Sequence, residues 1–581
     1  MVKELSLFNS RFRLINILFL ICFSLLILRL FYWQILKNGE LSKYARAQHV
    51  TSVEISAHRG AILASDGAPL ATSQINWQMW TDPQKIKENK DDLAHILASL
   101  LADNEDQLAT GSARVVLVAT QEAKLKKALA NKDLRWVSLA DKVSDESKNK
   151  INGLHFDDLG WTAQESRYYP EGTMAAHLLG FVGKSETGEE GYFGLEGFYD
   201  VTLSGKKGIR REEKDLRGNP IPFGLLSEIG AQKGLDIVTF IDRTIQYTAV
   251  KHLQEAMDKY GAKGGSVVVM KPTGEVLAAA SLPSYDAAKY NQSDPTLFKN
   301  PIVSDAFEPG SIFKILVMAA ALDSGAVTPK TKCDNCSGPV SVAEYQIHTG
   351  DNKYFPNTTM AETIIHSDNT GMVFTVRRLG QEKLLDYLSR FGIGRITGID
   401  LQEEESPTLR PLSAWTSVDL ATSAFGQGVA VTPIQFTRAA AAIANHGILP
   451  IPRVVDKITG DGWSQSIPVR DEGRVISEKA ASEISEMMTK AVQLGEARRL
   501  AIPGFAVAGK TGTAQVPLAG HYSKKTVASF IGFAPAQNPQ FVMLVSLQEP
   551  SSSPWASQTA APTWFAIARD LFPYLGISPS Q

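Results

Sequence analysis

Hydrophobic and polar positions divide the chain into three textures. Residues 14–36, LINILFLICFSLLILRLFYWQIL, form one apolar run of 23 residues with a single charge, Arg29. About 20 apolar residues span a bilayer as a helix, so this run predicts a membrane-crossing helix behind a tail of residues 1–13. Arg29 lies near the distal end, where a long side chain snorkels to the headgroups. Phe31, Tyr32 and Trp33 suit an interfacial aromatic belt. Ala45-Arg46-Ala47 weakly resembles a signal-peptidase site, but signal h-regions run only ~7–15 residues, so an uncleaved anchor is expected. Residues 40–230 have a mixed pattern. They open with an extended piece ending in a Ser65-Asp66-Gly67 turn and continue with helical patterns near 85–103 and 119–130. Residues 204–234, rich in Gly and charge, read as a hairpin region and domain boundary.

From about residue 235 the texture changes again. Residues 236–241 predict a strand and 243–260 a helix. The apolar runs 265–271 and 275–281 are joined by Pro272-Thr273-Gly274 and predict a hairpin. Residues 311–325 predict a helix entered through Pro309-Gly310, and 505–515, 527–534 and 540–548 predict three more strands. Two strands, a helical middle and three strands make an α+β domain over 235–575, an antiparallel sheet with helices on both sides.

Composition narrows the function classes. A chain of 581 residues suits two to four domains at ~100–200 residues each. With 44% hydrophobic and 21% charged residues it is built for a packed core rather than disorder. Its 59 basic and 61 acidic side chains leave a net charge of −2, which gives no electrostatic reason to expect a nucleic-acid partner. Of three cysteines, Cys22 lies in the apolar run, and Cys333 and Cys336 form an isolated C-x-x-C that reads as a local disulfide or two thiols. A zinc site needs two more ligands, and no second Cys pair exists. Basic residues flank the apolar run almost evenly (Lys3, Arg11 and Arg13 before it; Lys37, Lys43 and Arg46 after), so charge alone does not orient it.

Three short motifs carry the chemistry. Ser311-Ile312-Phe313-Lys314 is a Ser-x-x-Lys at a predicted helix N-terminus, where positions i and i+3 share a face. A serine hydroxyl needs a base to become a nucleophile. A lysine serves only if burial or neighbouring positive charge lowers its pKa. Taken alone the motif means little, since Ser147 with Lys150 and Ser204 with Lys207 match it in polar stretches. Ser367-Asp368-Asn369 offers a hydroxyl to relay a proton and a carboxamide to hold an amide, though by itself it is a turn tripeptide or helix cap. Lys510-Thr511-Gly512-Thr513-Ala514 on a predicted strand offers a cation and hydroxyls for a carboxylate, with glycine where a ligand backbone approaches. The order of the three motifs, 56 and 143 residues apart, matches the S-x-x-K, S-x-N and K-T-G set of penicillin-recognising serine enzymes.

On these residues the sequence resembles the class B penicillin-binding proteins, the D,D-transpeptidases that cross-link peptidoglycan. Glu308-Pro309-Gly310-Ser311 resembles the family's approach to the nucleophile, and Gly426-Gln427-Gly428 with Thr432-Pro433 and Gln435 its G-Q-G…T-P-x-Q segment. Arg59-Gly60, Ile62, Asp66, Leu70-Ala71, Tyr169-Pro170, His177-Leu178-Leu179-Gly180 and Gly194-Leu195-Glu196 resemble motifs of its pedestal domain, assigned to 40–230, without the frequent Asp-Arg pair. The resemblance implies that Ser311 attacks the penultimate D-alanine carbonyl of a stem peptide, with Lys314 accepting its proton. It implies that Ser367 passes a proton to the leaving amine with help from Lys510, and that Asn369 binds the acyl-side amide. Thr511 and Thr513 would hold the terminal carboxylate beside Gly512, and the N–H groups of Ser311 and Thr513 would form the oxyanion hole. It further implies β-lactams as acylating ligands, no metal or organic cofactor, and a membrane glycan polymerase with other cell-wall proteins as partners. The expected location is the inner membrane, single-pass, with the N-terminus cytoplasmic and the bulk outside.

Two alternatives use the same site. A D,D-carboxypeptidase or β-lactamase would need a water-activating carboxylate, and no E-x-x-L-N follows Ser367; Glu403-Glu404-Glu405 reads as a solvated loop. A non-enzymatic β-lactam sensor would need further membrane spans, and one apolar run of that length is present. Residues 40–230 show no sign of a glycosyltransferase domain, and septal and elongation roles stay open.

Overall fold

The computed structural model describes residues 2–105, 111–131, 133–186, 188–214, 221, 226–350, 352–518 and 521–579. Of the hairpin region expected at 204–234, residues 215–220 and 222–225 lie outside them. The chain divides into two compact units, residues 1–58 with 205–233, and residues 59–204 with 234–581.

In the first unit the helix Val2–Phe31 passes through a π turn, Tyr32–Leu36, into the helix Asn38–His49. Within it, Arg11–Leu36 has a mean hydropathy of 2.6 and is long and apolar enough to cross a membrane. Among the described residues its apolar side chains Leu14, Phe19 and Phe23 stand exposed. The strand Val50–Ile55 pairs antiparallel with Gly208–Glu213, which pairs in turn with Leu226–Ile229.

In the second unit the strand Pro69–Thr81 pairs with Leu159–Tyr168 and Val137–Val143. The helices Lys90–Glu105 and Gly111–Leu129 bury Leu93, Leu97 and Leu125 with Met79 of that strand. The second of these helices starts well before the expected 119. The N-terminal motifs meet in a buried charge cluster. The Arg59 guanidinium donates to Glu196 (2.8 Å) and Asp200 (2.7 Å), and Arg167 Nε donates to the other Glu196 oxygen (2.6 Å). Glu196 is fully buried, so these partners replace the water it loses.

The C-terminal part is built on a five-stranded antiparallel sheet. Its strands in chain order are β1 (Gly264–Met270), β2 (Val276–Leu282), β3 (Ala508–Leu518), β4 (His521–Ala534) and β5 (Phe541–Gln548), arranged β2-β1-β5-β4-β3. Side chains alternate between faces. Val267 and Val269 of β1 pack with the helices α1 (Arg243–Tyr260) and α6 (Ala560–Tyr574), while Val268 and Met270 join the core with α2 (Lys314–Asp323), α4 (Pro433–Ala444) and α5 (Glu478–Leu494). Helix α3 (Asn369–Leu379) also packs on that second face. Both faces of the sheet are therefore covered, which is why its strands read as continuous apolar runs.

One expected strand belongs elsewhere. Asp236–Thr239 pairs parallel with Ile62–Leu63 and antiparallel with Val455–Gly460, outside the five-stranded sheet. Its partners lie 175 and more residues away in sequence, so no local pattern announces them. Cys333 and Cys336 form a disulfide, the first of the two readings left open by their spacing.

Candidate active site

Ser311 lies on a 3-10 turn, Gly310–Phe313, and the α-helix begins only at Lys314. The expected helix N-terminus is thus one tight turn earlier and differently wound. Two glycines make this possible. Gly426 has φ +80°, and a Cβ there would lie 2.2 Å from the Gly310 carbonyl oxygen; its own carbonyl accepts the Gly310 N–H at 3.1 Å. Gly512 lets β3 press on the turn, because a Cβ would lie 2.8 Å from Ile312 and 2.9 Å from the Pro309 carbonyl. Buried Ile312 and Phe313 pin the turn into the core. The other matched segments support this frame. Glu308 accepts from the Gly428 N–H and the Tyr522 hydroxyl (3.0 Å each), and Thr432 and Gln435 form a capping box at the start of α4, with Pro433 in its first turn.

Ser367 precedes the helix α3, whose N-cap is Asp368; Asp368 accepts from the Thr370 and Gly371 N–H groups. Ser367 is a non-glycine residue at φ +56°, a strained conformation of the kind that gathers at functional sites. The strain turns both its carbonyl and its hydroxyl toward Lys314. The Lys314 ammonium donates to the Ser367 carbonyl (2.6 Å), Ser367 Oγ (3.2 Å) and Asn369 Oδ1 (2.7 Å). Lys510 Nζ donates to the same Ser367 Oγ (2.9 Å), to the Thr511 carbonyl (3.1 Å) and to Thr511 Oγ1 (3.3 Å). A hydroxyl has two lone pairs and one proton. Both Ser367 lone pairs face ammonium groups, so its proton points away from them.

The structure thus brings together Lys314, Ser367, Asn369, Lys510 and Thr511, with Gly512 as the contact between β3 and the Ser311 turn. Among the described residues Ser311 makes no side-chain hydrogen bond, and the expected contact with Lys314 is replaced by the contacts of Lys314 with Ser367 and Asn369. Asn369 Nδ2 donates to the His348 carbonyl (2.9 Å). Thr513 Oγ1 accepts the Ala556 N–H (3.1 Å), and among the described residues its own proton has no acceptor. Thr511 Oγ1 donates to Glu496 (2.6 Å). Sequence reasoning missed Glu496, His348 and Ala556; none belongs to a motif, and each reaches the site only through tertiary packing.

Both lysines are buried, and burial disfavours the charged form. Lys314 is pushed well below the ordinary lysine range, first by burial and then by the second ammonium at Lys510, against the pull of Asp368 and Glu496. Lys510 is lowered by burial, opposed by Glu496. A recess of about 630 Å³ lined by Asp305, Glu308, Glu405 and Gln515 borders β3 but includes none of Lys314, Ser367, Asn369, Lys510, Thr511 and Thr513.

Comparison with known proteins identifies the family. Residues 265–572 match the family described as the penicillin binding protein transpeptidase domain, and residues 54–239 match the penicillin-binding protein dimerisation domain. The chain is 32% identical to stage V sporulation protein D of Bacillus subtilis, over 97% of this chain and 86% of that one. It is 29% identical to the peptidoglycan D,D-transpeptidase FtsI of Escherichia coli, over 99% of this chain and 94% of that one. A solved structure of penicillin binding protein 3 from Mycobacterium tuberculosis, complexed with aztreonam, superposes with a TM-score of 0.68 at 25% identity, covering 91% of this chain and 98% of that one.

Proposed function

Because the chain belongs to the class B penicillin-binding proteins, peptidoglycan D,D-transpeptidases and targets of penicillin, we propose that Ser311 is its acylated nucleophile and that the clustered side chains serve it. The observation that carries this reading is Ser367 Oγ, held between the Lys314 and Lys510 ammonium groups behind the Ser311 turn.

The chemistry follows from the donors. As an ammonium Lys314 has three protons for its three acceptors; as a free amine it has two and a lone pair, which takes the Ser311 proton. Ser311 Oγ then bonds to the penultimate D-alanine carbonyl carbon, and the developing oxyanion lies against the N–H groups of Ser311 and Thr513. The bond to the terminal D-alanine nitrogen breaks as that nitrogen takes the outward-facing Ser367 proton, which the lysines replace. Asn369 holds the acyl-side amide, and the Thr513 hydroxyl, with Thr511 and Gly512 beside it, receives the terminal carboxylate. An amine of a second stem peptide attacks the resulting ester, forms the new amide and returns a proton to Ser311 Oγ. A β-lactam opens at its ring amide in the first step and keeps its nitrogen attached, so nothing leaves.

Residues 40–230 act in this reading as a pedestal and 235–575 as the transpeptidase domain. The apolar helix within 14–36 anchors both, N-terminus cytoplasmic, to the membrane that supplies lipid-linked substrate. A membrane glycan polymerase works beside it within a cell-wall complex. Mass spectrometry of the penicillin-treated protein tests the core of the proposal. We expect one penicilloyl adduct, on the peptide carrying Ser311; an adduct on Ser367 or any other residue would overturn the assignment.

A further inference from the structure

Glu496 follows Gly495, the C-cap of α5. A Cβ at Gly495 would lie 2.5 Å from the Ile365 carbonyl oxygen, so the chain here runs directly against the segment leading into Ser367. From that position the Glu496 carboxylate accepts a hydrogen bond from the Thr511 hydroxyl at 2.6 Å. Thr511 has only one hydroxyl proton. Its oxygen is thereby turned to face Lys510 Nζ at 3.3 Å, and with the Thr511 carbonyl and Ser367 Oγ it completes three acceptors for the three ammonium protons. Thr513 is arranged the opposite way, its oxygen accepting from Ala556 and its proton without an acceptor among the described residues.

We propose that Glu496 is a positioning residue for the reaction: by holding the Thr511 proton it aims the Lys510 ammonium at Ser367 and leaves donation to the ligand carboxylate to Thr513. The inference rests on the roles assigned above to Ser311, Ser367 and Lys510. It also divides the two threonines, which the motif alone treats as equivalent.

The charged groups facing the lysine pair are Lys314 and Lys510 themselves, Asp368 at the cap of α3, and Glu496; Arg498 and Arg499 follow on the same segment, exposed. Glu496 raises both lysines against burial, so removing its charge lowers both. Acylation needs one amine free and the other charged. The acid limb of the pH profile reports loss of the first proton and the alkaline limb loss of the second, as steps of the coupled pair. Both limbs therefore move to lower pH.

The test compares wild type, Glu496→Gln and Glu496→Ala in full-length protein, following the rate of labelling by fluorescent penicillin across pH. Glutamine keeps an oxygen for Thr511 and loses the charge. We expect both limbs to shift down by roughly half a pH unit or more in Glu496→Gln, since a unit charge within ~4–6 Å moves a pKa by about 1–3 units and exposure of Glu496 screens part of that. In Glu496→Ala the same shift is expected with a maximal rate lower by about threefold to tenfold, the worth of one hydrogen bond. Superimposable profiles for wild type and Glu496→Gln, with label on Ser311 in both, would overturn the role of Glu496 alone. Label on a different residue in wild type would instead overturn the reading beneath it. Should the alanine variant fail to fold, the glutamine profile decides by itself.

Discussion

Lys314→Met is expected to slow acylation by penicillin by about 10²–10⁴-fold, the usual worth of a positioned general base. The substitution is chosen for shape. Lys314 is fully buried at the start of α2, and methionine fills a similar volume without the amine. Removing a buried polar amine favours the fold. Leaving the Ser367 carbonyl and Asn369 Oδ1 without their donor opposes it, at about 1–3 kcal/mol for an unsatisfied buried group. The two effects nearly cancel, so the unfolding midpoint stays close to wild type while the rate collapses. Rapid-mixing measurement of the labelling rate, beside circular dichroism to show a folded protein, checks both halves. A rate within threefold of wild type would take Lys314 off the proton path and leave Ser367 or solvent to accept the Ser311 proton.

Glu196→Ala is expected to have the largest effect on stability, about 3–5 kcal/mol, without touching the chemistry. Glu196 has no solvent exposure and neutralises two guanidinium groups, those of Arg59 and Arg167. Without it both cations remain buried; among the described residues Arg59 keeps Asp200 as a carboxylate partner and the backbone carbonyl of residue 196. The cost is that of uncompensated buried charge rather than of a lost contact. Urea unfolding followed by tryptophan fluorescence reads it, because Trp77, Trp80 and Trp161 lie on the sheet of the same N-terminal region. Ser311 labelling at low temperature should survive, since none of these residues reaches the site. An unchanged unfolding midpoint would mean that water or a shifted side chain neutralises the arginines.

Much of the fold is legible along the chain because its signals are local. The run at 14–36 exceeds bilayer thickness by itself. Residues 265–271 and 275–281 pair across a Pro-Thr-Gly turn that sets their register, and β3, β4 and β5 follow at short intervals. The Asp236–Thr239 strand was legible as a strand and not in its sheet, because strand pairing depends on which distant segment offers a free edge.

The site divides along the same line. Residue identity and order name Ser311, Lys314, Ser367, Asn369, Lys510, Thr511 and Thr513, since each motif keeps its chemistry within four residues. Local geometry then misleads in one respect: i to i+3 spacing points Lys314 at Ser311, whereas its donors meet Ser367 and Asn369, 53 and 55 residues away. Helical spacing constrains only backbone positions. Where an ammonium on a four-carbon stem ends is set by the acceptors packed around it. Glu496 has no motif at all, and its place beside Thr511 exists only because Gly495 lets the chain pass against Ile365. The sequence by itself determined the apolar N-terminal helix, the α+β class and the identity of the groups proposed to react, all consequences of short-range pattern. Only the tertiary structure decided which proton faces which lone pair, because hydrogen-bond direction depends on contacts among segments that the chain keeps far apart.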